Sequence, residues 1–310
     1  MATAALVVLY ADRSGSGNRA SMSSQVLDAV NYLVQNYNND TRGTGLIHES
    51  PDTDPDRDKT YWVYSDNFLA GLVLETYNPG MTANIRENMT GYLELAGITD
   101  YRSNYMALTE PVSAFRGANL SGTNITPAGE VGYYIMTHVA DQGILSPAEY
   151  ADIAFLQAIN ESKWGDPVKA NTSFDLGVLL WDGKGFCDKG NGYIHDNYPT
   201  YKVALYIYAS KLLGRVDSVN YTQALNVLPQ MQKHGGVVPE TDGGFSTWYS
   251  WPDSSPDPIA KGSTNVETTS LAILALDLPS TVIPEFGPNL VPIILMLATV
   301  ILISRKRKGV

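Results

Sequence analysis

The sequence predicts an all-α domain of stacked α-hairpin repeats, followed by one membrane-spanning helix at the C-terminus. Three observations carry this reading. Apolar residues between positions 21 and 278 recur mostly at helical spacing, a short Gly–aliphatic–aliphatic motif recurs ahead of long loops, and the chain ends in an uncharged run capped by basic residues. The 310 residues, 44% of them hydrophobic, suffice to bury a full core. Three segments follow: an N-terminal arm (1–20), a folded domain (21–280) and a C-terminal tail (281–310).

Residues 2–10 form a short apolar run without a basic region ahead of it, as in the remainder of a truncated signal peptide or a first structural element. Helical periodicity then predicts helices over 22–37, 66–77, 82–96, 128–140, 147–160, 200–213, 219–233 and 266–276. Ser146, Pro147 and Glu149 supply a capping serine, a first-turn proline and an acid three residues on. Gly214 after Leu213 has the features of a helix stop.

The loops carry the repeat. Gly45-Leu46-Ile47-His48-Glu49-Ser50 and Gly236-Val237-Val238-Pro239-Glu240-Thr241 share a glycine, two aliphatics, a glutamate and a hydroxyl residue. Each opens a long loop that ends at a helix start, Tyr64-Ser65-Asp66-Asn67 in the first case and Asn265-Val266-Glu267-Thr268 in the second. Gly185-Phe186-Cys187-Asp188, leading to Tyr198-Pro199-Thr200-Tyr201, reads as a degraded third copy. A helix pair with an elaborated loop, repeated, predicts stacked hairpins with the long loops at one end.

The stretch Asn265–Leu276 resembles the inner-helix repeat of α/α-toroid proteins, the prenyltransferase and terpenoid-cyclase-like superfamily. That resemblance implies a toroid or partial toroid. It does not transfer chemistry. The Gly-Cys-Gly-Glu-Gln of the related thioester domains is absent, and an Asp-X-Cys zinc motif is replaced by Cys187-Asp188.

In the tail, residues 290–303 carry no charge, and with the flanking uncharged residues they are long enough for a spanning helix of about 20 residues. Arg305, Lys306, Arg307 and Lys308 follow, which by the positive-inside rule places the domain outside the cell. Pro284-Glu285-Phe286 just ahead of this run resembles the PEF-CTERM sorting signal of archaeal surface proteins. The resemblance implies an archaeosortase as a partner that processes the tail. Seven Asn-X-Ser/Thr sequons, at Asn39, Asn88, Asn119, Asn124, Asn160, Asn171 and Asn220, suit an exported glycoprotein.

The formal net charge of −11 includes that basic cluster, so the domain itself is more acidic still. Nucleic acid is therefore not a partner, because phosphate binding requires clustered Lys and Arg. The membrane and a polysaccharide are the partners the sequence points to.

For chemistry, Glu49 and Glu240 occupy equivalent repeat positions, with Asp66 and Glu267 at the helix starts that follow. Paired carboxylates are what a glycosidase uses as acid and base. Tyr61, Trp62, Trp248, Tyr249 and Trp251 would supply sugar-stacking platforms. The leading expectation is nevertheless that these acids cap helices and anchor loops in a carbohydrate-binding or envelope-interaction module, with a surface-tethered polysaccharide hydrolase or lyase using the paired carboxylates as the alternative. No metal site is expected: His48, His138, His195 and His234 lack ligand spacing, and Cys187 with His195 lacks a third orienting group in the sequence. Asp52, Asp54 and Asp56 offer oxygen ligands of the calcium type, but Arg57 and Val63 stand where an EF-hand loop needs Gly and Glu. Phosphate loops, dinucleotide fingerprints and nucleophile elbows are absent from the sequence.

Overall fold

The computed structural model describes residues 23–37, 44–50, 61–97, 103–112, 119–127, 134–141, 145–235 and 241–278. The N-terminal arm, the Asp52-Asp54-Asp56 run, Glu240, Asn39, the Pro284-Glu285-Phe286 motif and the predicted spanning helix lie outside these residues.

Eight α-helices make up about half of the described chain: α1 (Ser24–Asn36), α2 (Tyr64–Tyr77), α3 (Pro79–Ala96), α4 (Ala151–Lys163), α5 (Pro167–Val178), α6 (Thr200–Leu212), α7 (Val219–Val227) and α8 (Val266–Asp277). Among the described residues no helix is long and apolar enough to cross a membrane. Helices α2–α3, α4–α5 and α6–α7 pack as antiparallel-type hairpin pairs. One member of each pair also packs inward, α2 and α6 against α8 and α4 against α6, while α1 joins α8. Thus α1, α2, α4, α6 and α8 form an inner layer, and α3, α5 and α7 cover it.

Helix starts are of two kinds, and inner helices α1 and α8 share the polar caps of the outer layer, with Ser23 accepting from Val26 N at 3.3 Å and Asn265 from Thr268 N at 2.9 Å. The outer helices begin at polar caps: Asn78 accepts from Met81 N at 3.2 Å, Asp166 from Lys169 N at 3.0 Å and Ser218 from Tyr221 N at 3.1 Å. Proline follows the cap at Pro79 and Pro167, where its missing N–H costs nothing. Inner helices α2, α4 and α6 begin from extended residues without a side-chain cap. Asp66 and Asp152 instead place acids in the first turn of α2 and α4, where the helix dipole favours negative charge.

Inner helices α2, α6 and α8 are buried on several faces, so they lack the simple amphipathic stripe that α1 keeps. Helix α6 buries Val203, Leu205, Tyr206 and Ile207 together with Lys202 and Lys211. Around Tyr206, the rings of Phe155, Phe174, Phe186 and Trp181 pack at centroid separations of 5.3, 5.7, 5.6 and 6.1 Å. Such pairs each add about 0.5–1.5 kcal/mol beyond the area they bury.

Strands correct the all-α expectation. One sheet, in the order β1-β3-β2, comprises β1 (Tyr61–Val63), β2 (Asn119–Pro127) and β3 (Tyr134–Asp141). β2 runs antiparallel to β3, and β1 parallel to it. The helix expected over 128–140 is therefore a strand from Tyr134 on, because Tyr134, Ile135, Thr137 and Val139 are aromatic or β-branched and prefer the pleated surface. The second sheet joins β4 (Tyr198–Pro199), β5 (Ser246–Ser250) and β6 (Ile259–Thr264) in that order, all antiparallel. Helix α5 was not foreseen, and the helix expected over 219–233 turns into a 3-10 segment at Leu228, next to Pro229.

Candidate functional site

The starts of α2, α4, α6 and α8 bring acids together with hydroxyl groups. Asn67 ties the first repeat loop to α2: its Oδ1 accepts from Ile47 N at 2.8 Å, and its Nδ2 donates to Ile47 O at 3.0 Å. The same loop is tied to α8, since Val266 N donates to Glu49 O at 3.0 Å and Ser50 Oγ to Thr264 O at 2.6 Å. Gly45 in this loop has φ +68°, and a Cβ there would lie 2.3 Å from Asn88 Nδ2, so only glycine fits. The backbone of Glu49 is thereby tied to the start of α8.

The acids at these starts shift one another's titration. Burial first, then the charges of Glu267 and Glu49, raise the Asp66 carboxyl well above its ordinary range. Burial likewise lifts Glu267 to about 7, reinforced by Asp152 and Glu49 and opposed by a hydrogen bond from Tyr105 and by Lys202. The Tyr105 hydroxyl donates to Glu267 Oε1, and its own ionisation is pushed far up by burial and by Glu267. Asp152 is raised by burial against the lowering pull of Lys202, and the Tyr201 hydroxyl hydrogen-bonds it. Asp152, Tyr201 and Glu267 each keep some solvent exposure although surrounding protein dominates their titration, and Glu49 is also partly exposed.

Beside the acids lies a buried cation. Lys202 Nζ sits 2.7 and 2.6 Å from the two oxygens of Asp188 and 3.4 Å from Asp152 Oδ1. Asp188 also accepts from Ala151 N and Gly190 N, both at 2.9 Å, which pins the 182–198 loop to the start of α4.

Several sequence expectations need correction. Tyr249 faces inward on β5, fully buried, with its hydroxyl donating to Lys184 O at 2.8 Å, and Trp62 is fully buried with its ring 5.0 Å from His48. Neither is a platform for sugar, because strand alternation turns them into the protein. Trp248 is 36% exposed and Trp251 half-buried, while for Tyr61 only the backbone is described. Asn160 is fully buried, its Oδ1 accepting from Val112 N at 2.6 Å, so the folded chain offers no access for a glycan there. Asn171 is exposed on α5, and Asn88 and Asn220 are half-buried on α3 and α7, while Asn119 and Asn124 lie in β2.

The sequence reading missed Asp152, Tyr105, Tyr201, Lys202 and Asp188. One signal was present: Tyr150-Ala151-Asp152 repeats the Tyr64-Ser65-Asp66 pattern at a helix start.

A second cluster lies on the 182–198 loop. Asp182, Cys187 and His195 place one ligand atom each within 4.8 Å of one another. His195 Nδ1 is 2.8 Å from Asp182 Oδ2, to which the Tyr198 hydroxyl also donates at 2.8 Å. Asp182 is thus the third group that a Cys187–His195 pair lacked in the sequence. Burial and the carboxylates of Asp182 and Asp188 push the Cys187 thiol up, the opposite of what activates a nucleophile.

Comparison with protein-family models, with curated proteins and with solved structures finds no match to this chain.

Proposed function

We propose that this chain is a glycosylated archaeal cell-surface protein, anchored in the membrane by its C-terminal helix, whose α/α-toroid ectodomain cleaves an envelope polysaccharide by acid–base chemistry. The observation that carries the reading is Glu267, titrating at about 7 beneath the Tyr105 hydroxyl and electrostatically coupled to Asp152 and Glu49. A carboxylic acid half-protonated at neutral pH can give a proton to a glycosidic oxygen and take it back, which an ordinary glutamate does poorly. Asp152, beside the Lys202 ammonium and the Tyr201 hydroxyl, is the partner base or nucleophile. Asp66 is likewise raised, by burial first and then by the charges of Glu267 and Glu49. The layered helix hairpins and the acids gathered at the inner-helix starts support the toroid.

A second reading, a module that binds carbohydrate without cleaving it, draws on the partial exposure of Trp248 and Trp251. The two separate on one experiment. The full chain is incubated with a panel of neutral and acidic polysaccharides, and both new reducing ends and unsaturated sugar ends are followed. Reducing ends alone identify a hydrolase, and unsaturated ends a lyase. Retention on a polysaccharide without either product supports the binding module and refutes the catalytic reading.

A further inference from the structure

Three chemically different donors meet on the loop between α5 and α6: the Asp182 carboxylate, the Cys187 thiol and the His195 imidazole. The loop is built to bring them together. An isolated bridge pairs Trp181 with Phe186, turning the chain back so that Asp182 and Cys187 adjoin. Asp182 Oδ1 accepts from Lys184 N at 3.0 Å and Gly185 N at 3.2 Å, fixing the carboxylate at the turn. Gly185 is required there, because a Cβ would lie 2.5 Å from both Tyr198 Cγ and Tyr249 Oη. His195 is delivered by two residues in the left-handed region, Tyr193 at φ 56° and Asp196 at φ 61°. Among the described residues these are the only non-glycines with positive φ, and such strain persists only where surrounding contacts enforce it. Lys184 does not fill the cluster: its Nζ is drawn to Asp253 at 2.6 Å and to the Trp251 carbonyl at 2.7 Å.

We infer that Asp182, Cys187 and His195 form a binding site for a divalent ion of the zinc class. Hard cations such as calcium and magnesium take all-oxygen ligand sets, whereas thiolate with imidazole and carboxylate selects zinc and its neighbours. Tetrahedral ligands around zinc stand roughly 3.3–3.7 Å apart, given bonds of about 2.0–2.3 Å. The donors here need to close by only about 1 Å to meet that geometry. The imidazole, 73% exposed, is free to make this adjustment, and the 18% exposed Asp182 is held in place by Tyr198. Tyr198 is a positioning residue: it orients the carboxylate without touching the ion. Three protein donors beneath an open imidazole leave a fourth position to water.

The test uses the full chain, treated with a chelator and then dialysed against Zn²⁺ or Co²⁺, with metal content measured by mass spectrometry and the cobalt form by its optical spectrum. One equivalent of metal is expected, with a thiolate-to-cobalt charge-transfer band. Cys187→Ser removes the band, His195→Ala lowers affinity at least tenfold, and Tyr198→Phe lowers it by about 10–100-fold. Thermal melts of the metal-free variants keep folding separate from binding, and the exposed His195→Ala is expected to melt as the wild type does. Substoichiometric metal, or a cobalt spectrum that Cys187→Ser leaves unchanged, overturns the assignment.

Discussion

The Tyr105 hydroxyl donates a hydrogen bond to Glu267, a residue 162 positions away, and so joins a 3-10 turn to the start of α8. That bond favours the ionised carboxylate and opposes the burial that raises Glu267 to about 7. Removing it by Tyr105→Phe is expected to move the Glu267 titration upward. A pH profile of kcat/KM, or an infrared titration of the carboxyl stretch, should show the alkaline limb displaced above the wild-type position near 7.

Stability should fall as pH rises. The folded state holds a proton on Glu267 up to about 7, whereas an unfolded glutamate releases it near 4.5. The contribution is therefore full below pH 4.5 and is lost as pH climbs through about 7, at most about 3 kcal/mol. Asp66 acts in the same direction. Urea unfolding at pH 5 and pH 8 measures the difference, and Glu267→Gln should flatten it.

Lys202 and Asp188, with side chains 1% and 0% exposed, form a pair that tolerates loss of neither member. Lys202→Met leaves Asp188 buried without its cation and is expected to cost about 3–5 kcal/mol in urea unfolding. Combining it with Asp188→Asn should recover part of that loss. Because Lys202 also lowers Asp152, the single variant should raise the Asp152 titration as well.

Glycan mapping by mass spectrometry of protein from an archaeal host is expected to find Asn171 modified and Asn160 unmodified. Burial decides the second outcome, since Asn160 Oδ1 is committed to Val112 N. Asn160→Ala should cost about 1–3 kcal/mol by leaving that N–H unpaired.

How far the sequence carried the fold depended on what each segment's residues express locally. Helices α1, α2, α3, α4, α6 and α8 were legible because helical periodicity holds over many residues. The strand from Tyr134 was not, since a run of Ile, Met, Val and Ala meets a helical pattern as readily as a strand, and pairing with β2 decides the matter. Asp66, Glu267 and Glu49 could be named because the loop repeat marks them. Asp152 was missed although Tyr150-Ala151-Asp152 copies the Tyr64-Ser65-Asp66 pattern, and Tyr105 and Lys202 carry no local signal. Their roles arise only where α8 meets the 3-10 turn and where α6 meets the 182–198 loop. Likewise, Asp182 becomes the third partner of Cys187 and His195 only through the turn at Gly185.

The central claim, that Glu267 supplies the proton in polysaccharide cleavage, is tested most directly by Glu267→Gln on the substrate that the wild type degrades. The glutamine keeps the size of the side chain and should retain substrate binding while lowering kcat by about 10²–10⁴-fold and removing the alkaline limb near pH 7. Turnover within twofold of the wild type, with the limb still in place, would contradict the claim.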